Sequence, residues 1–275
     1  MNWNQLGYLC RLYSLANDLN TTQQNQLRSA THLKIYKAGQ PESQLAKKLA
    51  AQLVDNPNPS EQKQLSACYS TLPKIIASPS FDYKDKLSYL AALFVIFIAI
   101  STIYQVFVLP TFSEVLSSHN INVADSLMQY TQYWYVGIVV LAMLFAVVCF
   151  TIFKLREACN LASPDLFLGI RGLFIPKQIK QQYATLMAVL GFFERGSKDR
   201  SALPEIMHLE SCQLHGLAIS DEFAFLVEQK LRLLNDTIKV YINKLIYLFT
   251  AILVLIICLF LQQAYKPIFM IGEIV

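Results

Sequence analysis

Three long stretches of this chain contain no charged residue: 87–113, 126–153 and 245–265. Their most apolar cores are 90–109, 134–153 and 245–261. A helix needs about 20 apolar residues to cross a hydrocarbon layer roughly 30 Å thick, and each stretch is long enough. An Asp, Lys or Arg at the centre of such a helix costs about 2.5–3.5 kcal/mol, so missing charge is the mark of a span. One such run could be a buried helix of a large water-soluble protein. Three in 275 residues point to a bilayer. Only 15% of the residues are charged, whereas soluble domains hold about a quarter.

The flanking charges give the spans a direction. Lys84 and Lys86 precede the first, Lys154 and Arg156 follow the second, and Lys239 and Lys244 precede the third. Residues 111–133 contain no Lys or Arg, only Glu114 and Asp125. Basic residues collect on the cytoplasmic side, which predicts residues 1–86 and 154–244 inside. The 111–133 loop and the carboxyl tail are then expected outside, with Lys266 the one dissenting charge. Tyr130, Tyr133, Trp134 and Tyr135 cluster at the outer end of span two, where aromatic rings favour the headgroup layer. The first apolar residues, Leu6, Leu9, Leu12 and Leu15, sit at helical spacing among polar ones rather than in a continuous signal core. The first span is therefore expected to serve as the insertion signal. Six cysteines are present, none in the predicted outer loop, so a disulfide framework is not expected and the polar parts are expected in a reducing compartment.

The polar segments read as helical. Leu6, Leu9, Leu12 and Tyr13 form one stripe, and Leu27, Ala30 and Leu33 suggest a second, with Thr21 or Thr22 as its N-cap. Gly39-Gln40-Pro41 marks a turn before a helix at 43–54. Asn56-Pro57-Asn58-Pro59 stops it, and Ser60 with Glu61 opens another, running to about residue 76. In the second segment, 177–193 is amphipathic and begins at Pro176, followed by helices at 203–215 and 221–235. Four short helices bury only a small core, so the first segment is expected to lean on a partner. No alternating β-branched run of useful length occurs. The expected fold is all-α: three transmembrane helices and two small cytoplasmic helical-bundle domains. The expected division is domain 1–86, span 87–110, outer loop 111–133, span 134–153, domain 154–244, span 245–265 and outer tail 266–275.

Signals of chemistry are sparse. No glycine-rich phosphate loop exists, and no span carries an ionisable Asp, Glu, Lys, Arg or His. Neither a P-loop ATPase nor a pump is expected, and no catalytic residue or cofactor is assigned. Ser101, Thr102, Gln105, Thr151, Gln262 and Gln263 suit interhelical hydrogen bonds. Glu205, His208, Cys212 and His215 follow one another at spacings of three, four and three on one helical face. They are competent zinc ligands by type. A single stripe rarely arranges four ligands tetrahedrally, so the expectation is packing rather than metal. The charged turn 194–200 offers Arg195, Lys198 and Arg200 either as a solvated loop tip or as a docking contact for a cytoplasmic partner.

The layout and several short motifs are similar to a known family. Phe107-Val-Leu-Pro110-Thr-Phe112 ends span one, Ala264-Tyr-Lys-Pro267-Ile-Phe269-Met-Ile-Gly272 closes the chain, and Lys84-Asp-Lys-Leu-Ser-Tyr89 enters span one. Tyr183-Ala-Thr-Leu-Met-Ala-Val-Leu190 precedes Gly196. With the span order, these resemble the inner-membrane platform proteins of type IV pilus and type II secretion machines, the F-protein family. That family's domains carry a Gly-Glu-x-x-Gly-x-Leu element that both segments here lack, so the chain looks like a reduced member. The resemblance implies a bacterial inner-membrane protein without enzymatic activity that works as a homo-oligomer. Its implied partners are a cytoplasmic assembly ATPase, a pilin or pseudopilin, other inner-membrane assembly proteins and the lipid bilayer, with no nucleic acid. The alternative from another class is a membrane subunit of a transport complex that uses a separate ATPase.

Overall fold

The computed structural model describes residues 1–15, 20–37, 41–76, 84–118, 124–163, 166–167, 174–193 and 203–272. Among these every regular element is a helix, and no strand occurs. In chain order they are α1 (Trp3–Ser14), α2 (Thr21–Ser29), a 3-10 turn (Ala30–His32), α3 (Lys34–Lys37), α4 (Gln44–Val54), α5 (Pro59–Ser70) and α6 (Leu72–Ile76). There follow α7 (Lys84–Ile103), a π-helical turn (Tyr104–Val108), α8 (Leu109–Ser118), α9 (Ala124–Cys159), α10 (Lys177–Leu190), α11 (Pro204–Leu214) and α12 (Ile219–Gly272). The chain divides into two compact units: residues 1–80 with 153–239, and residues 81–152 with 240–275.

The first unit combines both polar segments, where the sequence suggests two separate domains. The cause is the shortage of apolar surface in either segment alone. Helix α1 starts at a capping box, with Asn2 Oδ1 accepting from Gln5 N–H and Gln5 Oε1 accepting from Asn2 N–H, both at 2.9 Å. Such a box satisfies two otherwise orphaned donors of the first turn. Trp3, Leu6, Cys10 and Tyr13 are buried at helical spacing, and α1 packs on α4, α5 and α6. In α4, Leu45, Leu49 and Leu53 make the buried stripe, each fully enclosed leucine contributing about 1.5–3 kcal/mol. The later segment closes the same core. Tyr69 of α5 meets Phe193 at 6.1 Å and Phe223 of α12 at 6.0 Å, ring centre to ring centre. The Trp3 indole N–H donates to Asn160 O at 3.2 Å, and Gln44 N–H to Ala162 O at 2.9 Å.

Cap positions refine the sequence reading. Asn20 rather than Thr21 or Thr22 caps α2, Asn58 precedes Pro59 at the first position of α5, and Pro176 itself is the N-cap of α10. Proline suits a first helical position because its missing N–H would be unsatisfied there anyway. The turn expected at Gly39-Gln40-Pro41 lies largely outside the described residues.

Three helices are long and apolar enough to span a membrane: Asp85–Val115, Tyr133–Cys159 and Ile219–Tyr265. Less than a third of each apolar window is buried inside the protein, at 28%, 22% and 22%, so most apolar side chains face outward. The second unit joins these helices through aromatic layers. Phe94 of α7, Phe145 of α9 and Phe249 of α12 form one, with ring centres 4.9, 6.2 and 5.4 Å apart. Phe97, Trp134 and Phe260 form the next, at 6.1, 6.0 and 5.7 Å. Lipid tails are as apolar as side chains, so helix association in a bilayer relies on packing of this kind. Each aromatic pair adds about 0.5–1.5 kcal/mol beyond area burial.

The hydroxyls expected to bridge helices behave otherwise. Ser101 donates to Phe97 O at 2.6 Å and Thr151 to Val147 O at 2.8 Å, each within its own helix. A hydroxyl four residues after a free lone pair reaches it without any neighbour. Thr102, Gln262 and Gln263 are exposed on the chain's own surface. Bridges between helices include Tyr104 Oη to Ala264 O at 3.0 Å and Lys86 Nζ to Asn243 Oδ1 at 3.0 Å.

Pro110 does not end the first long helix. The π-helical turn precedes it, with Leu109 N–H reaching Tyr104 O, and helix continues to Ser118. A π turn gives the slack by which a helix accommodates a residue that clashes with the carbonyl four positions back. Residues 111–118 and 124–133 are accordingly helical rather than loop, and the helix of the carboxyl tail continues to Gly272.

Candidate functional site

The predicted docking residues Arg195, Lys198 and Arg200 lie outside the described residues. The stripe Glu205, His208, Cys212 and His215 is described, and its members take separate partners. Glu205 pairs with Lys230 of α12, the Lys230 ammonium donating to Oε1. That hydrogen bond, rather than burial, holds the Glu205 carboxyl below its ordinary range. His208 Nε2 stands 3.4 Å from Glu222 Oε2 and 3.6 Å from Cys212 Sγ. His215 Nδ1 sits 2.7 Å from Ser211 O, its own helix's carbonyl. Among the described residues no three His, Cys, Asp or Glu side chains are placed to hold one metal ion. Cys212 is buried, while Glu205 and His208 tie α11 to α12.

A larger feature was not legible in the sequence. Helices α4 and α5, the turn after α10 and helix α11 enclose an open cavity of about 700 Å³. Its wall carries Asp55, Glu61 and Glu210 with Lys48, and Phe192 and Phe193 line it beside Leu65. Asp55 is the C-cap residue of α4, held by its backbone N–H bond to Ala51 O at 2.8 Å. Glu61 is oriented by Asn58, whose Nδ2 donates to Oε1 at 3.0 Å. Phe193 packs against Phe223 at 5.8 Å, which fixes the apolar side on the core. The result is an acidic depression with an aromatic wall. Its residues come from positions 48–65 and 192–213, so no local motif could have announced it. A comparison with protein-family models, characterised proteins and solved structures finds no match to the chain.

Proposed function

We propose that this protein is an inner-membrane platform of a type IV pilus or type II secretion-like machine. In this reading it couples a cytoplasmic assembly ATPase to polymerisation of pilin or pseudopilin subunits. The carrying observation is the composition of the first unit. It draws on residues 1–80 and 153–239, on either side of two helices long enough to span a membrane. An even number of crossings returns the chain to the face it left, which agrees with basic flanks that put both segments in the cytoplasm. In this reading the unit receives force from a motor and does not itself catalyse a reaction. The acidic, Phe-walled depression is where a motor or assembly partner docks.

A transport subunit would need a polar route through its spans. The described interior of the second unit is instead filled by the two aromatic layers, which favours the platform reading. The test is affinity purification of the full-length protein from membranes of its own host after mild cross-linking. An assembly-type ATPase and prepilin-like subunits should be recovered together. Recovery of a transporter-type ATPase with neither would sink the proposal.

A further inference from the structure

A second cavity of about 520 Å³ opens elsewhere in the first unit, between the start of α1 and the segment from α2 to α3. Its floor is polar, buried and fixed. Asn2 Nδ2 donates to Tyr36 O at 2.7 Å, and Gln5 Nε2 donates to Thr31 O at 3.1 Å. These two amides clamp the α2–α3 segment to the capped end of α1. Thr31 also lines the cavity and is only 7% exposed, with its hydroxyl enclosed in the wall.

The rim supplies charge. Arg28, His32 and Lys37 line the cavity, with Glu42 as the acid among its lining residues. Arg28 sits with its guanidinium 5.3 Å from the centre of the Tyr13 ring, which limits its swing. A planar guanidinium and an ammonium lining one cavity are groups suited to the oxygens of a phosphate. The volume lies in the range of metabolite sites, about 300–1,000 Å³, and leaves room for an organic portion beyond the phosphate. Glu42 can accept from hydroxyl or amino groups there.

We infer that this cavity binds a small soluble phosphomonoester, with Arg28 and Lys37 on the phosphate and Glu42 facing the polar organic portion. The inference stands apart from the proposed platform role, because the cavity shares no residue with the acidic depression. A bound ligand would join α1 to the α2–α3 segment and so stiffen that end of the unit.

The test uses the full-length protein in uncharged detergent, titrated calorimetrically with ribose 5-phosphate, with inorganic phosphate and with phosphatidylglycerol vesicles. Saturable binding of ribose 5-phosphate, tighter than inorganic phosphate, is expected. Arg28→Gln should weaken it about tenfold or more, as loss of a charge-assisted pair does. Lys37→Gln, at an exposed position that the fold does not need, should also weaken it, whereas Lys48→Gln in the other cavity should not. Unchanged melting of each variant separates lost binding from lost folding. The inference is overturned by absent saturable binding, by affinity indifferent to Arg28 and Lys37, or by Arg28-dependent binding of the anionic vesicles alone.

Discussion

The Ser43 hydroxyl donates to the backbone oxygen of Leu161 at 2.7 Å, joining residues 118 positions apart in a buried contact. The same hydroxyl accepts from Ala46 N–H at 3.2 Å, so it caps α4 while fastening it to the chain that follows α9. Leu161 holds a left-handed backbone, with φ of 49°, and its side chain is fully enclosed. Replacing Ser43 with Ala removes a cap worth about 1 kcal/mol and leaves a buried carbonyl short of a donor, about another 1 kcal/mol. The S43A variant should lose roughly 2 kcal/mol, read as a lower melting temperature by the fluorescence of buried Trp3. A melting temperature equal to the parent's would show that this contact does not fasten the two segments.

Gly7 lies where α1 passes α6. A Cβ there would sit 2.6 Å from Pro73 Cγ, which a rigid ring cannot evade. Gly7→Ala should cost about 1–3 kcal/mol through overpacking, despite a helix-propensity gain of about 1 kcal/mol. Adding Pro73→Ala should restore part of that loss. A G7A variant more stable than the parent would mean the two helices do not approach this closely.

Both amide atoms of Gln105 are buried without a partner among the described residues, within the π-helical turn. Gln105→Leu keeps the volume and removes the unsatisfied groups, so thermal stability in detergent should rise by about 1–2 kcal/mol. A marked fall instead would reveal a hydrogen-bonding partner supplied from outside the chain.

Burial pushes the Cys10 and Cys68 thiols up from 9.0 to about 12. The unfolded chain ionises first, so their contribution to stability is complete below pH 9 and is lost as pH rises toward 12. With the other four cysteines replaced, labelling by a thiol reagent near neutral pH should follow the unfolding rate. Fast labelling of the folded protein would contradict this enclosure.

Glu205 behaves in the opposite sense. Its folded carboxyl is held below 4.5 by Lys230, so the pair stabilises the fold above that value. The contribution disappears as pH falls through the folded value. Glu205→Gln should cost about 1 kcal/mol near neutrality and progressively less as pH falls below 4.5, measured as paired melting curves. An equal cost at neutral and acidic pH would leave the ion pair without a role.

The spans were legible because one physical quantity, the absence of charge over about 20 residues, decides them. The helical stripes in α1 and α4 were legible for a similar reason, since 3.6-residue periodicity reports burial directly. The merger of both polar segments was not, because it rests on contacts such as Tyr69 with Phe193 and Trp3 with Asn160. Such pairs carry no local signal. Pro110 misled for a definite reason: proline normally ends a helix, and only the preceding π-helical turn lets this one pass. The aromatic layers of the second unit were equally hidden. Phe94, Phe145 and Phe249 look like any apolar residue in a span until the three helices are set side by side.

The shared core of the first unit also dictates an order of synthesis. Residues 1–80 leave the ribosome first, but the aromatic partners that finish their core lie near residues 193 and 223. At about 5–20 residues per second, the early helices wait roughly six to thirty seconds with that surface uncovered. During that interval the two helices long and apolar enough to span a membrane are also made. The amino-terminal segment is therefore expected to need its uncovered surface shielded, and its maturation waits on synthesis of the later segment rather than on its own folding speed.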